Sequence, residues 1–170
     1  MANTYTLIAS NTVGSGGVAS VTFSSIPATY TNLLLKISAR SNRAGAVDDD
    51  INIKLNGATT NFTYVYLRGS GSAVASSSGS TGYIATMTCA NATANTFGNT
   101  EIYIPNYASA NYKSILSDSV TENNATESYA FFFADLWSNT AAITSVGFVS
   151  GTSNNFVQYS TFFLYGINNS

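Results

Sequence analysis

Asp48-Asp49-Asp50-Ile51-Asn52 is the acidic run of this chain, and clustered carboxylate and amide oxygens are the donors that hard cations such as calcium take. The run lacks the alternating Asp or Asn, the mid-loop Gly and the closing Glu of an EF-hand loop. It is therefore read as a solvated loop, or a partner for Arg40 and Arg43, in preference to a metal site. A carboxyl pair for glycoside hydrolysis would have to come from Glu101, Asp118, Glu122, Glu127 and Asp135. Asp118, Glu122 and Asp135 fall near the ends of strand-like segments, where carboxylates cap turns. With no His anywhere, nucleophilic schemes need a Ser–Lys pair or a terminal amine. Lys113-Ser114 and Met1-Ala2 offer neither in a recognisable setting. Gly14-Ser15-Gly16-Gly17 lacks the Lys and following helix of a phosphate loop and is read as a hairpin turn. The lone Cys89 can complete neither an internal disulfide nor a Cys-rich zinc site. These residues predict a protein that is not an enzyme and uses no cofactor or metal.

The remaining composition narrows the partners. Of 170 residues, 8% are charged and the net charge is −2, against about a quarter charged in an ordinary globular chain. Ser, Thr and Asn number 64, so hydroxyls and amides must supply solubility. No basic cluster marks a nucleic-acid or anionic-membrane surface, and no apolar run approaches the roughly 18 residues of a membrane span. Met1 to Tyr5 has no charged or apolar leader pattern, which points to synthesis in a cytoplasm. Asn61, Asn91 and Asn124 match the glycosylation acceptor pattern, as an Asn- and Thr-rich chain does by chance. An uncharged surface with 11 Tyr and 10 Phe resembles the charge-depleted core of protein interfaces and predicts self-association.

The elements that must position these residues are strands. Runs rich in Val, Ile, Tyr, Phe and Thr, punctuated by Gly, Ser and Asn, predict eleven of them: 5–8, 18–23, 33–39, 51–56, 62–67, 83–88, 101–104, 112–120, 128–137, 143–149 and 156–167. The spacing is that of an all-β antiparallel sandwich or barrel, in a single domain over 1–170. Ile51, Ile53 and Leu55 share one face of their strand. Tyr64, Tyr66 and Arg68 lie opposite Val65 and Leu67. Phe131-Phe132-Phe133 and Phe162-Phe163 are apolar on both faces, which predicts burial between sheets or against another copy. Leu55-Asn56-Gly57 predicts a hairpin to the strand opening at Phe62. Two long loops are expected, 41–49 and the Gly/Ser-rich 69–82.

Several phrases then carry a resemblance. Tyr5-Thr6-Leu7-Ile8-Ala9 with Gly14-Ser15-Gly16-Gly17, the run Phe23 to Leu33, Ile102-Tyr103-Ile104-Pro105-Asn106-Tyr107, Glu122-Asn123-Asn124-Ala125-Thr126, Leu136-Trp137-Ser138 and Leu164-Tyr165-Gly166-Ile167 together resemble small virion structural proteins of tailed bacteriophages, especially marine and cyanobacterial ones. The resemblance spans nearly the whole chain. It implies a jelly-roll-like β domain on the outer surface of a virion, either a capsid decoration (cement) protein or a component of a tail or head fibre.

On that footing the expected partners are the major capsid protein and further copies of this chain, with a trimer favoured. Ala2, Asn3, Thr4, Tyr5, Thr6, Leu7 and Ile8 are the expected capsid contact, since a terminal strand can add to a neighbour's sheet edge. Phe131, Phe132, Phe133, Phe162 and Phe163 are the expected self-association residues. The fibre alternative implies a host glycan, held by the 41–49 and 69–82 loops with Tyr64, Tyr66, Tyr107 or Trp137 as stacking platforms.

Overall fold

In a computed structural model, which describes residues 4–122 and 128–168, the chain is an all-β sandwich of two antiparallel sheets. The strands are β1 (Tyr5–Thr12), β2 (Ser20–Phe23), β3 (Asn32–Ala39), β4 (Asp48–Leu55), β5 (Phe62–Gly69), β6 (Val74–Gly79), β7 (Tyr83–Thr88), β8 (Gly98–Pro105), β9 (Lys113–Glu122), β10 (Ser128–Trp137), β11 (Val146–Ser150) and β12 (Thr161–Ile167). The large sheet runs β1-β12-β3-β8-β9-β10-β5-β6 and the small one β2-β11-β4-β7.

Eight of these strands form a jelly roll. β1-β12-β3-β8 faces β2-β11-β4-β7, and each step β1 to β2, β2 to β3, β3 to β4, β7 to β8 and β11 to β12 passes from one sheet to the other, the double Greek-key winding. The other four strands are insertions. β5 and β6 interrupt the path from β4 to β7, β9 and β10 interrupt the path from β8 to β11, and the two pairs join through β10 and β5 to extend the large sheet.

Alternation explains the core. Leu33, Leu35 and Ile37 of β3, Ile102 and Ile104 of β8, and Phe162 and Leu164 of β12 point inward against Ile51, Ile53 and Leu55 of β4, Val146 and Phe148 of β11, and Ile84 and Met87 of β7. Phe162 touches Phe148 (centroids 5.7 Å) and Phe156 (5.0 Å), so it ties the two sheets together.

The free edge of the small sheet is β7, and it is closed by hydroxyls. Ser117 Oγ of β9 donates to the Ile84 carbonyl, and the Thr86 amide donates to Ser119 Oγ at 3.2 Å. A backbone edge that would otherwise lack partners is satisfied by the face of the sheet below it. Contacts from the small sheet reach β9 and the near side of β10. β5 and β6 extend past it.

Four sequence expectations change here. The segment 69–82 contains β6, a strand that pairs with β5 through Tyr64↔Gly79 to Gly69↔Val74. The 41–49 loop ends earlier than expected, because Asp48 and Asp49 already belong to β4. The turn at Asn56-Gly57, both with positive φ (53° and 76°), closes with Ala58 N donating to Leu55 O at 2.9 Å, but it does not make a hairpin. β4 lies in the small sheet and β5 in the large one. The glycine turn at 14–17 likewise joins β1 to β2 across the two sheets.

The side of β12 that each Phe faces is testable. Replacing Phe162 with Ala should cost about 3–5 kcal/mol in urea unfolding followed by near-UV circular dichroism. Phe163→Ala, on the outward side of the same strand, should cost less than about 1 kcal/mol. Equal costs would contradict this register.

Candidate functional site: an aromatic face on the inserted strands

Antiparallel register partners project to the same side of a sheet, so the pairings of β5, β6, β9 and β10 define two surfaces. On the inner side, Arg68 pairs with Phe131, Tyr66 with Phe133, Tyr64 with Asp135 and Phe62 with Trp137. The same residues of β10 meet Ser119, Ser117, Ile115 and Lys113 of β9, and those of β5 meet Ala75, Ser77 and Gly79 of β6.

The inner side is dominated by rings. Tyr64 and Tyr66 are nearly parallel (8°) with centroids 6.1 Å apart, and Phe131 and Phe133 repeat that spacing at 5.5 Å and 11°. Tyr83, at the start of β7, sets its edge against Tyr64 (5.4 Å), Tyr66 (6.0 Å) and Phe133 (4.9 Å). Such edge contacts place positive ring edges on negative faces. The Arg68 guanidinium lies 5.0 Å from the Tyr129 centroid and 5.9 Å from that of Phe131, a cation–π arrangement. Phe131 and Phe133 are buried, whereas Tyr64, Tyr66, Arg68, Tyr83 and Tyr129 keep part of their surface in solvent.

Gly79 fixes how Tyr64 lies. A Cβ at this position would sit 2.6 Å from the Tyr64 hydroxyl oxygen and 2.7 Å from two ring carbons, so the ring rests across the backbone of β6 where only Gly leaves room.

Two carboxyls flank the tyrosines. Asp135 is 6% exposed and its Oδ2 has no hydrogen-bond partner; burial alone pushes its pKa up to about 8. Burial also raises the Asp50 carboxyl, while the Tyr83 hydroxyl that interacts with it pulls the other way. Tyr64 feels both carboxyls, but burial is the larger cause of its raised pKa. The sequence offered Tyr64 and Tyr66 as stacking platforms and Asp135 as a candidate carboxyl; the parts of this face it did not offer are Tyr83, Tyr129 and the burial of Asp135.

The other side of the same strands is apolar. Val65, Leu67, Leu116, Val120 and Phe132 are 43% to 54% exposed. Leu67 lies beside Phe132, Val65 and Leu116 flank Ala134, and Val120 borders Ala130. A charged row enters this surface on β9: Lys36 of β3 pairs with Glu101 of β8, the register partner of Asp118, and the exposed Asp118 is in turn the register partner of Phe132, between Leu116 and Val120.

The remaining sequence candidates separate. Phe131, Phe133 and Phe162 are buried inside the protomer, so the self-association expected of them would rest on Phe132 and Phe163. Tyr107 and Trp137 are buried as well: the Tyr107 hydroxyl donates to the Pro27 carbonyl and Trp137 stacks on Phe62, which removes both as platforms. Thr4 to Ile8 lie on or next to β1, an outer strand of the large sheet with Tyr5 and Leu7 exposed; Ala2 and Asn3 lie outside the described residues, as do 123–127.

The acidic run is a structural anchor. Asp49 is fully buried and accepts from Ser150 Oγ (2.9 Å), Thr152 Oγ1 (2.7 Å) and the Asp50 amide (2.9 Å), with Arg43 at 3.8 Å. Arg40 turns elsewhere and donates to the carbonyls of Ala90, Ala92, Thr93 and Thr96. Asp118 and Asp135, expected at strand ends, sit within strands on opposite sides of the large sheet; Asp118 is the register partner of Glu101, which is bound to Lys36, and Glu127 lies outside the described residues. Among the described residues no three His, Cys, Asp or Glu side chains gather as metal ligands.

Comparison with protein-family models, with curated proteins and with solved structures finds no match to this chain.

The raised Asp135 pKa has a direction in stability. The carboxyl is protonated in the folded protein at neutrality and ionised in the unfolded chain, so folding takes up a proton between pH 3.8 and about 8. Stability then falls as pH rises through that window. Asp135→Asn removes the ionisation and should gain about 1–3 kcal/mol over the parent protein at pH 8, a difference that shrinks toward pH 4 in urea titrations. A gain independent of pH would show that Asp135 titrates normally.

Proposed function

We propose that this chain is a structural protein of a tailed-bacteriophage virion, a capsid decoration (cement) protein that binds the outer shell and stabilises the particle. The observation that carries the reading is the set of exposed apolar side chains on the outer face of β5, β10 and β9, Val65, Leu67, Phe132, Leu116 and Val120, because a monomer seldom leaves such a patch uncovered. The resemblance of the sequence to small phage virion proteins supports the same assignment.

Magnitudes indicate what else the contact needs. Fully burying one such side chain contributes about 1.5–3 kcal/mol, and each of the five is already half-buried, so together they supply roughly 5 kcal/mol by that scale. Association costs about 4–15 kcal/mol. The face therefore anchors the protein only when combined with further contacts, for which the outer edges of the large sheet are suited. β1 and β6 form those edges and neither carries a charge or a proline, the features that normally guard an edge against another chain. Strand addition along β1 fits the capsid contact expected of the N-terminal segment, and a trimer supplies the remaining area.

A tail- or head-fibre component recognising a host glycan is the second reading, favoured by the tyrosine rings on the inner side.

Quantitative mass spectrometry of purified virions tests the proposal. A copy number near that of the major capsid subunit is the expected result; a few per cent of it would favour the fibre reading, and absence from particles would end both. In a reconstituted shell, Leu67→Asp with Phe132→Asp should leave a folded protein, since both side chains face solvent, and should weaken capsid binding at least tenfold.

A further inference from the structure

We propose that the inner side of the inserted strands is a carbohydrate-binding surface, in which the rings of Tyr64 and Tyr66 stack on the sugar faces of a neutral glycan. The proposal deepens the glycan-recognition reading, on which it rests, and does not depend on the decoration reading.

Four observations converge. Two nearly parallel, partly exposed tyrosine rings stand side by side on strand β5. The neighbouring edge strand β6 presents only Ala75, Ser77 and Gly79 on that side, so nothing large blocks the approach. Tyr83 wedges against both rings from the small sheet, which fixes their orientation before any ligand arrives, and preorganised platforms bind at lower entropic cost. The hydrogen-bonding groups at hand are hydroxyls, those of Tyr64, Tyr66 and Ser77.

That chemistry selects the ligand. Sugar rings offer apolar C–H faces edged by hydroxyls, which match an aromatic plane edged by hydroxyls. The nearby cation, Arg68, is already held over Tyr129 and Phe131, and the Asp50 and Asp135 carboxyls would repel an anion whenever ionised. A sialylated or sulfated glycan is disfavoured for that reason. An apolar peptide would find no deep pocket for its side chains.

The two surfaces also agree in direction. Tyr64 and Tyr66 alternate with Val65 and Leu67 along β5, so a protein seated by its apolar outer face turns its tyrosines away from what it sits on.

The test uses the intact protein on an array of neutral hexose and N-acetylhexosamine oligosaccharides together with sialylated and sulfated ones. Expected are hits among the neutral glycans that vary little with salt, weakened at least tenfold by Tyr64→Ala and by Tyr66→Ala and unchanged by Leu67→Ser on the opposite side. Gly79→Ala keeps both tyrosines but forces the Tyr64 ring to move, and should weaken binding as well. Should a tyrosine variant fold poorly, the unmodified protein still decides: adding the best neutral oligosaccharide must shift the Tyr64 and Tyr66 ring resonances. No hit on the array, hits confined to acidic glycans and lost with Arg68→Ala, or binding that leaves those resonances unmoved would each overturn the proposal. Because the array uses isolated protein, its result is independent of the copy number in virions.

Discussion

The eight strands of the large sheet offer about twice the inner face that the four strands of the small sheet can cover, and the surfaces of this protein follow from how the excess is disposed. Over the jelly roll itself the two sheets bury one another's aliphatic side chains. The small sheet ends on β9, where Ser117 and Ser119 bond to the backbone of β7. That closure is polar because the last strand of a sheet has unsatisfied amides and carbonyls, and hydroxyls can meet them without another strand. At one end the inserted strands join the shared core through Phe62, Ile115 and Trp137; further along they pack their own inner side, where the rings of Phe131, Phe133, Tyr64 and Tyr66 cluster with Tyr83 of β7. Aromatic side chains bury much area with few neighbours, and a single layer of sheet needs that economy.

The insertions separate support from display. The jelly roll supplies rigidity through residues such as Phe162, which bridges Phe148 and Phe156, and through the Asp49 anchor that ties β4 to the turn after β11. The inserted strands supply exposed surface of two kinds on opposite sides of one layer. Such a division is common where a stable scaffold displays variable elements. Here the displayed elements are themselves strands, so each side chain is held at a fixed height and spacing that a loop would not give.

Much of this was legible in the sequence because strand periodicity is local. The alternation of Thr63 to Arg68 assigned Tyr64 and Tyr66 to one side and Val65 and Leu67 to the other, and eleven of the strands followed from their β-branched and aromatic runs. β6 did not, since Val74-Ala75-Ser76-Ser77-Ser78-Gly79 has no hydrophobic alternation and is a strand only because β5 offers an edge to pair with. Periodicity is also silent on which sheet a strand joins, hence the hairpin expected after Asn56 that instead crosses the sandwich. The role of Asp49 depends on Ser150 and Thr152, a hundred residues away, and no local pattern announces such a partner. Asp135 was read as a carboxyl at a strand end, and its burial was missed for the related reason that it comes from neighbouring strands rather than from its own.

The winding of the jelly roll also orders events in time. β1 pairs only with β12, and β2 only with β11, so during synthesis β1 and β2 have no sheet partner until residues 146–167 have been made. Strands adjacent both in sequence and in the sheet are β5 with β6, β8 with β9 and β9 with β10, and short loops close at lower entropic cost than long ones. The growing chain can thus complete its inserted hairpins while the scaffold that will carry them is still open. Until β12 arrives, the uncharged edge of β1 stays unpaired, with Thr6, Ser10, Asn11 and Thr12 as its polar side chains.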